Sequence, residues 1–221
     1  VRQFLDKHVP SAGALAAQEE VDEADALLDA GDTQAALAKL ADALAQDPAN
    51  DTARADYAYL LIASGQLDEA DTVLQEPLAR QPRPLRFDAL ARWLHAARTV
   101  QAQELGQWSL PALDEAIAQN KRDFAARLQK AQILMADRLW TQAMDELLEI
   151  IMRERAWQDD EARKTYVAIL ELLTPAPEKS RAPDAATAGG IALTGKAAAA
   201  RQDPQVELVS AYRRKLSMAL N

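Results

Sequence analysis

Identical residues recur 34 positions apart in the first third of this chain. The five coincident pairs are Gly31 and Gly65, Pro48 and Pro82, Ala24 and Ala58, Ala36 and Ala70, and Leu40 and Leu74. Such a period indicates a helix–turn–helix unit with small residues where its helices cross and proline at its end. One pair of helices cannot bury its own apolar face, so units of this kind must stack on each other. The period therefore predicts a solenoid of packed helices.

The period and the residue types are those of the tetratricopeptide repeat. Beyond residue 84 the register shifts by five residues and then resumes, because Ala97 and Ala131 are again 34 positions apart. We therefore predict an all-α tetratricopeptide-repeat solenoid of about four and a half repeats in two pairs, followed by a C-terminal amphipathic helix. The predicted segments are a first repeat pair at 17–84, a junction at 85–89, a second pair with an extra helix at 90–173, a flexible linker at 174–205 and a C-terminal helix at 206–221.

Composition agrees with packed helices, because only 5% of the residues are aromatic and the chain has seven glycines in 221 residues. One residue departs from the repeat pattern. Pro77 lies in the second helix of the second unit, where a proline removes a backbone hydrogen bond, so we expect it to kink or shorten that helix.

Charge and composition argue against several classes of function. Residues 1–80 carry a net charge of −11, which repels the phosphates of nucleic acids. Arg80, Arg83, Arg86, Arg92 and Arg98 are predicted to form the solvated face of one helix. No apolar run approaches the 18 residues of a membrane span, and the chain has no cysteine. Nucleic acid and membrane are therefore not expected partners, and a cytoplasmic location is expected.

No catalytic pattern is present, so the chain is predicted not to be an enzyme. His8 and His95 are the only histidines, and neither has a helical partner at the spacing of a metal site. The stretch GGIALTGKA at 189–197 has the spacing of a phosphate-binding loop. However, Ala197 stands where the magnesium-binding hydroxyl is needed, and no strand precedes the loop. We predict no metal and no cofactor, and assign the stretch to the linker.

The C-terminal segment VELVSAYRRKLSMALN regains helical periodicity. Leu208, Tyr212, Leu216 and Leu220 fall on one stripe, which Arg213, Arg214 and Lys215 flank. Two interpretations stay open: the helix docks on the solenoid and caps its open end, or a partner protein binds it. The candidate partner-binding residues are Tyr212, Arg213, Arg214, Lys215, Leu216 and Leu220.

The first helix of each unit should line the concave wall of the solenoid. Acidic residues at Asp25 and Asp56 argue against capture of a partner's terminal carboxylate there. The wall is instead predicted to be apolar and to suit extended hydrophobic segments or an amphipathic helix. The candidate groove residues are Val21, Leu28, Tyr59, Ile62, Leu94, Leu128 and Met135. The alternative is that the terminal helix of the chain, or a missing domain of the same protein, covers them.

Three separated stretches resemble the C-terminal part of bacterial thioredoxin-fold/tetratricopeptide co-chaperones of the YbbN/CnoX type. They are FLDKHVP at the start, the block from LDEAIAQNKRDF through WQDDEARKTYVAILELL, and YRRKLSMAL at the end. The resemblance implies that residues 1–16 are the remnant of the last helix of an upstream thioredoxin-like domain, which is absent from this chain. Redox activity is therefore not expected of these residues.

The resemblance also implies a function. Members of that family hold unfolding client proteins and hand them to folding chaperones. The implied partners are thus unfolded or stressed clients, a chaperonin and a DnaK-type chaperone. The alternative is a solenoid scaffold or adaptor that assembles other proteins without affinity for unfolded chains.

Overall fold

A computed structural model describes residues 11–103, 109–175 and 204–221. These residues form ten α-helices and no strand, which confirms the all-α prediction. The helices are α1 (Ala12–Asp29), α2 (Thr33–Gln46), α3 (Asp51–Ala63), α4 (Leu67–Ala79), α5 (Leu85–Gln101), α6 (Leu110–Gln119), α7 (Phe124–Ala136), α8 (Trp140–Arg153), α9 (Glu161–Leu173) and α10 (Pro204–Leu220).

Polar side chains set where several helices begin. Asp32, Asn50 and Asp123 each accept a hydrogen bond from the backbone N–H three positions further on, at 3.0, 3.0 and 2.9 Å. A side-chain oxygen at this position satisfies one of the N–H groups that has no partner within the helix. The short polar segments between apolar helices therefore fix the start of α2, α3 and α7.

Three units turn between their helices in the same way. Gly31 and Gly65 have φ of 82° and 79°, and Arg138 takes the equivalent place with φ of 58°. In each turn the next backbone N–H donates to a carbonyl five residues earlier, at 2.9, 2.8 and 2.7 Å. This is the left-handed helix termination that glycine adopts most easily. The fourth unit keeps the turn without the glycine, so the sequence pattern does not reveal it.

Helix α5 is the central element of the solenoid. It packs against α3 and α4 on one side and against α7 and α9 on the other. One apolar core runs from α1 to α10 through these contacts, and its largest buried side chain is Trp93 of α5. The two repeat pairs therefore share a continuous core.

Several predicted boundaries need correction. The predicted junction at 85–89 is the first turn of α5, where Phe87 and Ala89 are buried. Helix α5 begins 34 residues after α3, but it has 17 residues where α3 has 13. Part of the inserted length therefore extends this helix at its C-terminal end. The apolar residues of its first turn pack into the core, which is why no junction forms there.

At the N-terminal end, α1 begins at Ala12 after the N-cap residue Ser11, so residues 12–16 belong to the first unit and not to an upstream remnant. Helix α4 continues through the buried Pro77 and is one residue shorter than α2. Helix α10 begins at Pro204, within the predicted linker. Residues 1–10, most of that linker and the GGIALTGKA stretch lie outside the described residues.

Candidate functional site

The C-terminal helix α10 lies against α8 and α9 at the end of the solenoid. Tyr166 of α9 is fully buried, and its hydroxyl donates a hydrogen bond of 2.8 Å to the backbone carbonyl of Tyr212. Gln205 donates from its amide to the carbonyl of Leu173 at 2.8 Å, near the C-terminal end of α9. Gln205 thus binds a carbonyl that the end of α9 leaves without a helical partner, whereas Tyr166 reaches a carbonyl in the middle of α10.

Polar side chains of α8 and α10 form a cluster at the middle of α10. The Tyr212 hydroxyl donates to Asp145 Oδ2 at 3.3 Å, and Lys215 Nζ lies 3.1 Å from Asp145 Oδ1. The same Nζ lies 4.0 Å from the centroid of the Tyr212 ring, a cation–π contact. Burial and the Asp145 carboxylate raise the pKa of Tyr212 above its ordinary value. Burial acts to lower the pKa of Lys215, but its hydrogen bonds with Asp145 and Tyr212 outweigh this and raise it. The cluster therefore keeps Tyr212 neutral and Lys215 charged near neutral pH.

The predicted stripe of α10 faces the solenoid. Tyr212 is 7% exposed, and Leu208, Leu216 and Leu220 are half-buried. Val209, which the sequence analysis missed, is 3% exposed. It lies three residues before Tyr212 and hence on the same helical face, a spacing that could have identified it. The docked arrangement of α10 is the capping interpretation, so these apolar residues already have a partner within the chain.

The three cations of α10 differ in their surroundings. Lys215 pairs with Asp145, and Arg213 donates to the Thr174 hydroxyl at 3.1 Å. Arg213 and Arg214 are exposed, and Arg214 lines a shallow surface depression with Val206 and Glu207. All three cations are exposed, so they are more accessible to a partner than Tyr212, Leu216 and Leu220.

The candidate groove residues lie on α1, α3, α5 and α7, and the surface that these helices form together with α9 is called the concave wall, after the side that the repeat pattern predicts. Four of the seven are buried: Val21, Ile62, Leu94 and Met135 are each at most 5% exposed. Leu28, Tyr59 and Leu128 are half-buried. Because α3, α7 and α9 all pack on α5, their apolar side chains fill the core. The structure therefore corrects the prediction of an open apolar groove at the four buried residues.

Charged side chains line the accessible part of the concave wall. Asp88 lies 3.1 Å from Arg83 and 3.3 Å from Arg92, whose Nη1 lies 2.8 Å from Glu161 of α9. Thr165, which is buried, donates its hydroxyl to the same Glu161 oxygen at 3.2 Å. These residues border a cleft of about 220 Å³ between α5, α7 and α9. The chain of ion pairs joins α5 to a helix more than sixty residues away.

A second cleft of about 330 Å³ lies between α3, α5 and α9. Its lining includes the carboxylates Asp51, Asp56 and Glu171, above an apolar floor that contains Phe87. Arg86 donates to the backbone carbonyl of Glu171 at 2.9 Å, where the C-terminal end of α9 has carbonyls without helical partners. Arg86, Arg92 and Arg98 of α5 thus bridge neighbouring helices. Arg80 and Arg83 lie before α5, which corrects the prediction that all five arginines form the solvated face of one helix.

Comparison with protein families agrees with this architecture. Two family models match the chain, both described as tetratricopeptide repeat, one over residues 27–94 and the other over residues 103–182. The chain is a tetratricopeptide-repeat protein. No curated protein matches it. Tetratricopeptide repeats indicate a protein–protein interaction module, so the surfaces of α10 and of the concave wall are candidate protein-binding sites.

The repeats of this protein are of a type that is typically non-catalytic. Over the described ranges, no cluster of three or more histidine, cysteine, aspartate or glutamate side chains could hold a metal ion. His95 is exposed at the edge of the smaller cleft, and His8 lies outside the described residues. None of the described helices is long and apolar enough to span a membrane.

Proposed function

We propose that the chain is the protein-binding module of a holdase or co-chaperone. In this proposal it binds unfolding client proteins and passes them to folding chaperones such as a chaperonin, with a DnaK-type chaperone as a further partner. The main support is the resemblance of the sequence to the thioredoxin-fold/tetratricopeptide co-chaperones. One structural observation adds to it: the terminal YRRKLSMAL stretch is the C-terminal half of α10, which exposes Arg213 and Arg214 at the end of the solenoid.

The second candidate is a scaffold or adaptor that assembles folded proteins. The ion pairs of the concave wall favour it, because unfolded clients are recognised through apolar surface, and Val21, Ile62, Leu94 and Met135 are buried. A charged wall with fixed ion pairs is suited to specific partners of complementary charge.

Light scattering distinguishes the two candidates. A test protein is unfolded by heat with and without an equimolar amount of the chain. A holdase slows the rise in scattering in proportion to its concentration, whereas an adaptor leaves it unchanged. An unrelated acidic protein of the same size is the control for crowding and charge. Unchanged scattering at a several-fold excess of the chain would contradict the holdase proposal.

A second experiment tests whether α10 presents a binding surface to a chaperonin. Arg214→Ala removes an exposed charge and should weaken chaperonin binding mainly through its salt dependence and association rate. Tyr212→Ala with Leu216→Ala removes the docked stripe, so it should abolish chaperonin binding and also lower the melting temperature. Full chaperonin binding by the double variant would leave α10 only as a cap.

A further inference from the structure

A groove runs between α8 and α10, on the outer side of the docked helix. It has a volume of about 670 Å³, and Leu148, Met152, Met218 and Ala219 supply its apolar surface. Met218 is 72% exposed, the highest value among the large apolar side chains of the described residues, and Met152 is 56% exposed. The two exposed methionines come from different helices and line one groove.

Exposed apolar side chains gathered in one groove indicate a binding surface, whereas isolated ones are ordinary. The five other exposed large apolar residues of the described chain are not part of this lining: Leu15, Leu85, Leu139, Val167 and Val206. Methionine is unbranched and adapts its shape to different partners, so it is favoured at surfaces that accept more than one sequence.

The spacing of the lining residues fits a helix. Leu148 and Met152 are four residues apart on α8, and Lys215 and Ala219 are four apart on α10. Residues at this spacing form ridges along a helix surface, and two such ridges create a groove into which a third helix packs. The solenoid is itself built by adding helices in this way. A partner helix laid on α8 and α10 would continue the same packing.

The rim of the groove is acidic. Asp145, Glu146 and Glu149 line it together with Lys215. Lys215 pairs with Asp145, Lys130 at 2.7 Å and the buried Arg127 pair with Glu146, and Arg153 pairs with Glu149. These pairs fix the carboxylates in place. A carboxylate offers about four acceptor sites, so one or two cations do not saturate it. The rim favours a partner that brings lysine or arginine.

We propose that this groove binds an amphipathic helix of a partner protein, with apolar residues on the Met152–Met218 surface and basic residues at the acidic rim. The proposal rests on the role of the chain as a protein-binding module, but not on the choice between holdase and adaptor. A second copy of the chain is a poorer occupant, because a symmetric contact would place the same three carboxylates against each other. A basic helix from another protein meets no such repulsion.

The probe is a synthetic fluorescent peptide of about four helical turns, with leucine along one face and lysine elsewhere. Binding to the full chain is measured by fluorescence anisotropy. We expect saturable, salt-sensitive binding of the leucine–lysine peptide. A matched leucine–glutamate peptide should bind at least about tenfold more weakly. Equal binding of the two peptides, or no saturable binding of the first, overturns the proposal.

A pair of matched variants tests the place of binding. Met152→Gln with Met218→Gln keeps side-chain length, charge and helix propensity but removes the apolar contact. It should lower the affinity for the leucine–lysine peptide by about tenfold or more, the usual loss when central anchors are removed. Leu85→Gln changes a 68%-exposed side chain on α5 and should leave binding unchanged. Circular dichroism melting confirms that both variants fold. Unchanged binding by the double variant overturns the proposal.

Two further measurements separate this proposal from its alternatives. If sedimentation shows self-association of the wild-type chain that the double methionine variant loses, the occupant is a second copy and the proposal is wrong. The light-scattering assay is run on the same proteins. If the chain binds the leucine–lysine peptide but does not suppress aggregation, only the holdase proposal is contradicted. If the chain suppresses aggregation but binds both peptides equally, only the groove proposal is contradicted.

Discussion

The two halves of the solenoid have the same helix–turn–helix plan but different cores. In α1–α4 eight of the seventeen buried residues are alanine, and the two tyrosines Tyr57 and Tyr59 are only half-buried. In α5–α9 the core contains Trp93, Tyr166 and Phe87 together with methionine, leucine and isoleucine. Of the twelve largest fully buried side chains, three lie in the first half. The second half therefore buries larger side chains than the first.

This difference means that a common period does not give equal stability. In a repeat protein the total stability is close to a sum of repeat terms and interface terms. Large side chains contribute more hydrophobic stabilisation than alanine, at about 25 cal/mol per Å² of buried apolar surface. We therefore expect α1–α4 to depend on its interface with α5, and to open first in hydrogen exchange.

Trp93 offers the largest test of this dependence. Its ring lies 4.9 Å from that of Tyr59 on α3 and 5.2 Å from that of Trp140 on α8, so it joins the two halves. Trp93→Ala should destabilise the chain by about 3–5 kcal/mol, the usual cost of removing a buried aromatic side chain. It should also separate urea unfolding into two transitions. Leu85→Ala, at an exposed position, is the control; a single unshifted transition in Trp93→Ala would show that the halves are not coupled there.

Ion pairs provide the next comparison, because one half buries a pair and the other exposes one. Arg127 of α7 has a 6%-exposed side chain, and its Nη1 lies 2.5 Å from Glu146 Oε2. Glu146→Ala leaves this charge underpaired in the core, so we expect a loss of about 3 kcal/mol in the free energy of unfolding. Glu23→Ala breaks an exposed pair with Lys39 in the first half and should have no measurable effect on urea unfolding. Equal effects would contradict the assigned difference in burial.

Alanine at the helix crossings tests how tightly each half is packed. Ala58 of α3 is fully buried, whereas Ala97 of α5, which the five-residue register shift of the sequence aligns with it, is half-buried. Ala58→Val should cost about 1–3 kcal/mol because a close-packed core has no room for two methyl groups. Ala97→Val should change stability much less. Thermal unfolding of the two variants under the same conditions measures the difference, and a reversed order would contradict the described packing.

The fold could be predicted from the sequence where the pattern is local. The 34-residue period identified the solenoid, and the stripe of Leu208, Tyr212 and Leu216 identified the helix that docks on it. The concave wall was mispredicted because its burial depends on contacts between distant segments. Arg92 pairs with Glu161, 69 positions away, and no periodicity contains that information. The boundary at 85–89 was wrong because an insertion can lengthen a helix without changing its start.

The turns of the repeats give the smallest expected effect. Arg138 holds the left-handed conformation that Gly31 and Gly65 hold in the first half, with φ of 58° against 82° and 79°. A residue with a side chain has less favourable energy there, because its Cβ crowds the neighbouring backbone. Arg138→Gly should therefore stabilise the chain, by about 1 kcal/mol after the added entropy of the unfolded state is subtracted.

Gly65→Ala is the matched change in the other direction. No atom lies within 4 Å of an added Cβ at Gly65, so only the backbone conformation opposes the substitution. We expect it to destabilise the chain by about 1 kcal/mol. Urea unfolding of both variants against the wild type measures the two shifts. A left-handed backbone conformation favours glycine in every unit that adopts it. If Arg138→Gly instead destabilises the chain, the fourth unit therefore does not use the glycine-type turn of the first two.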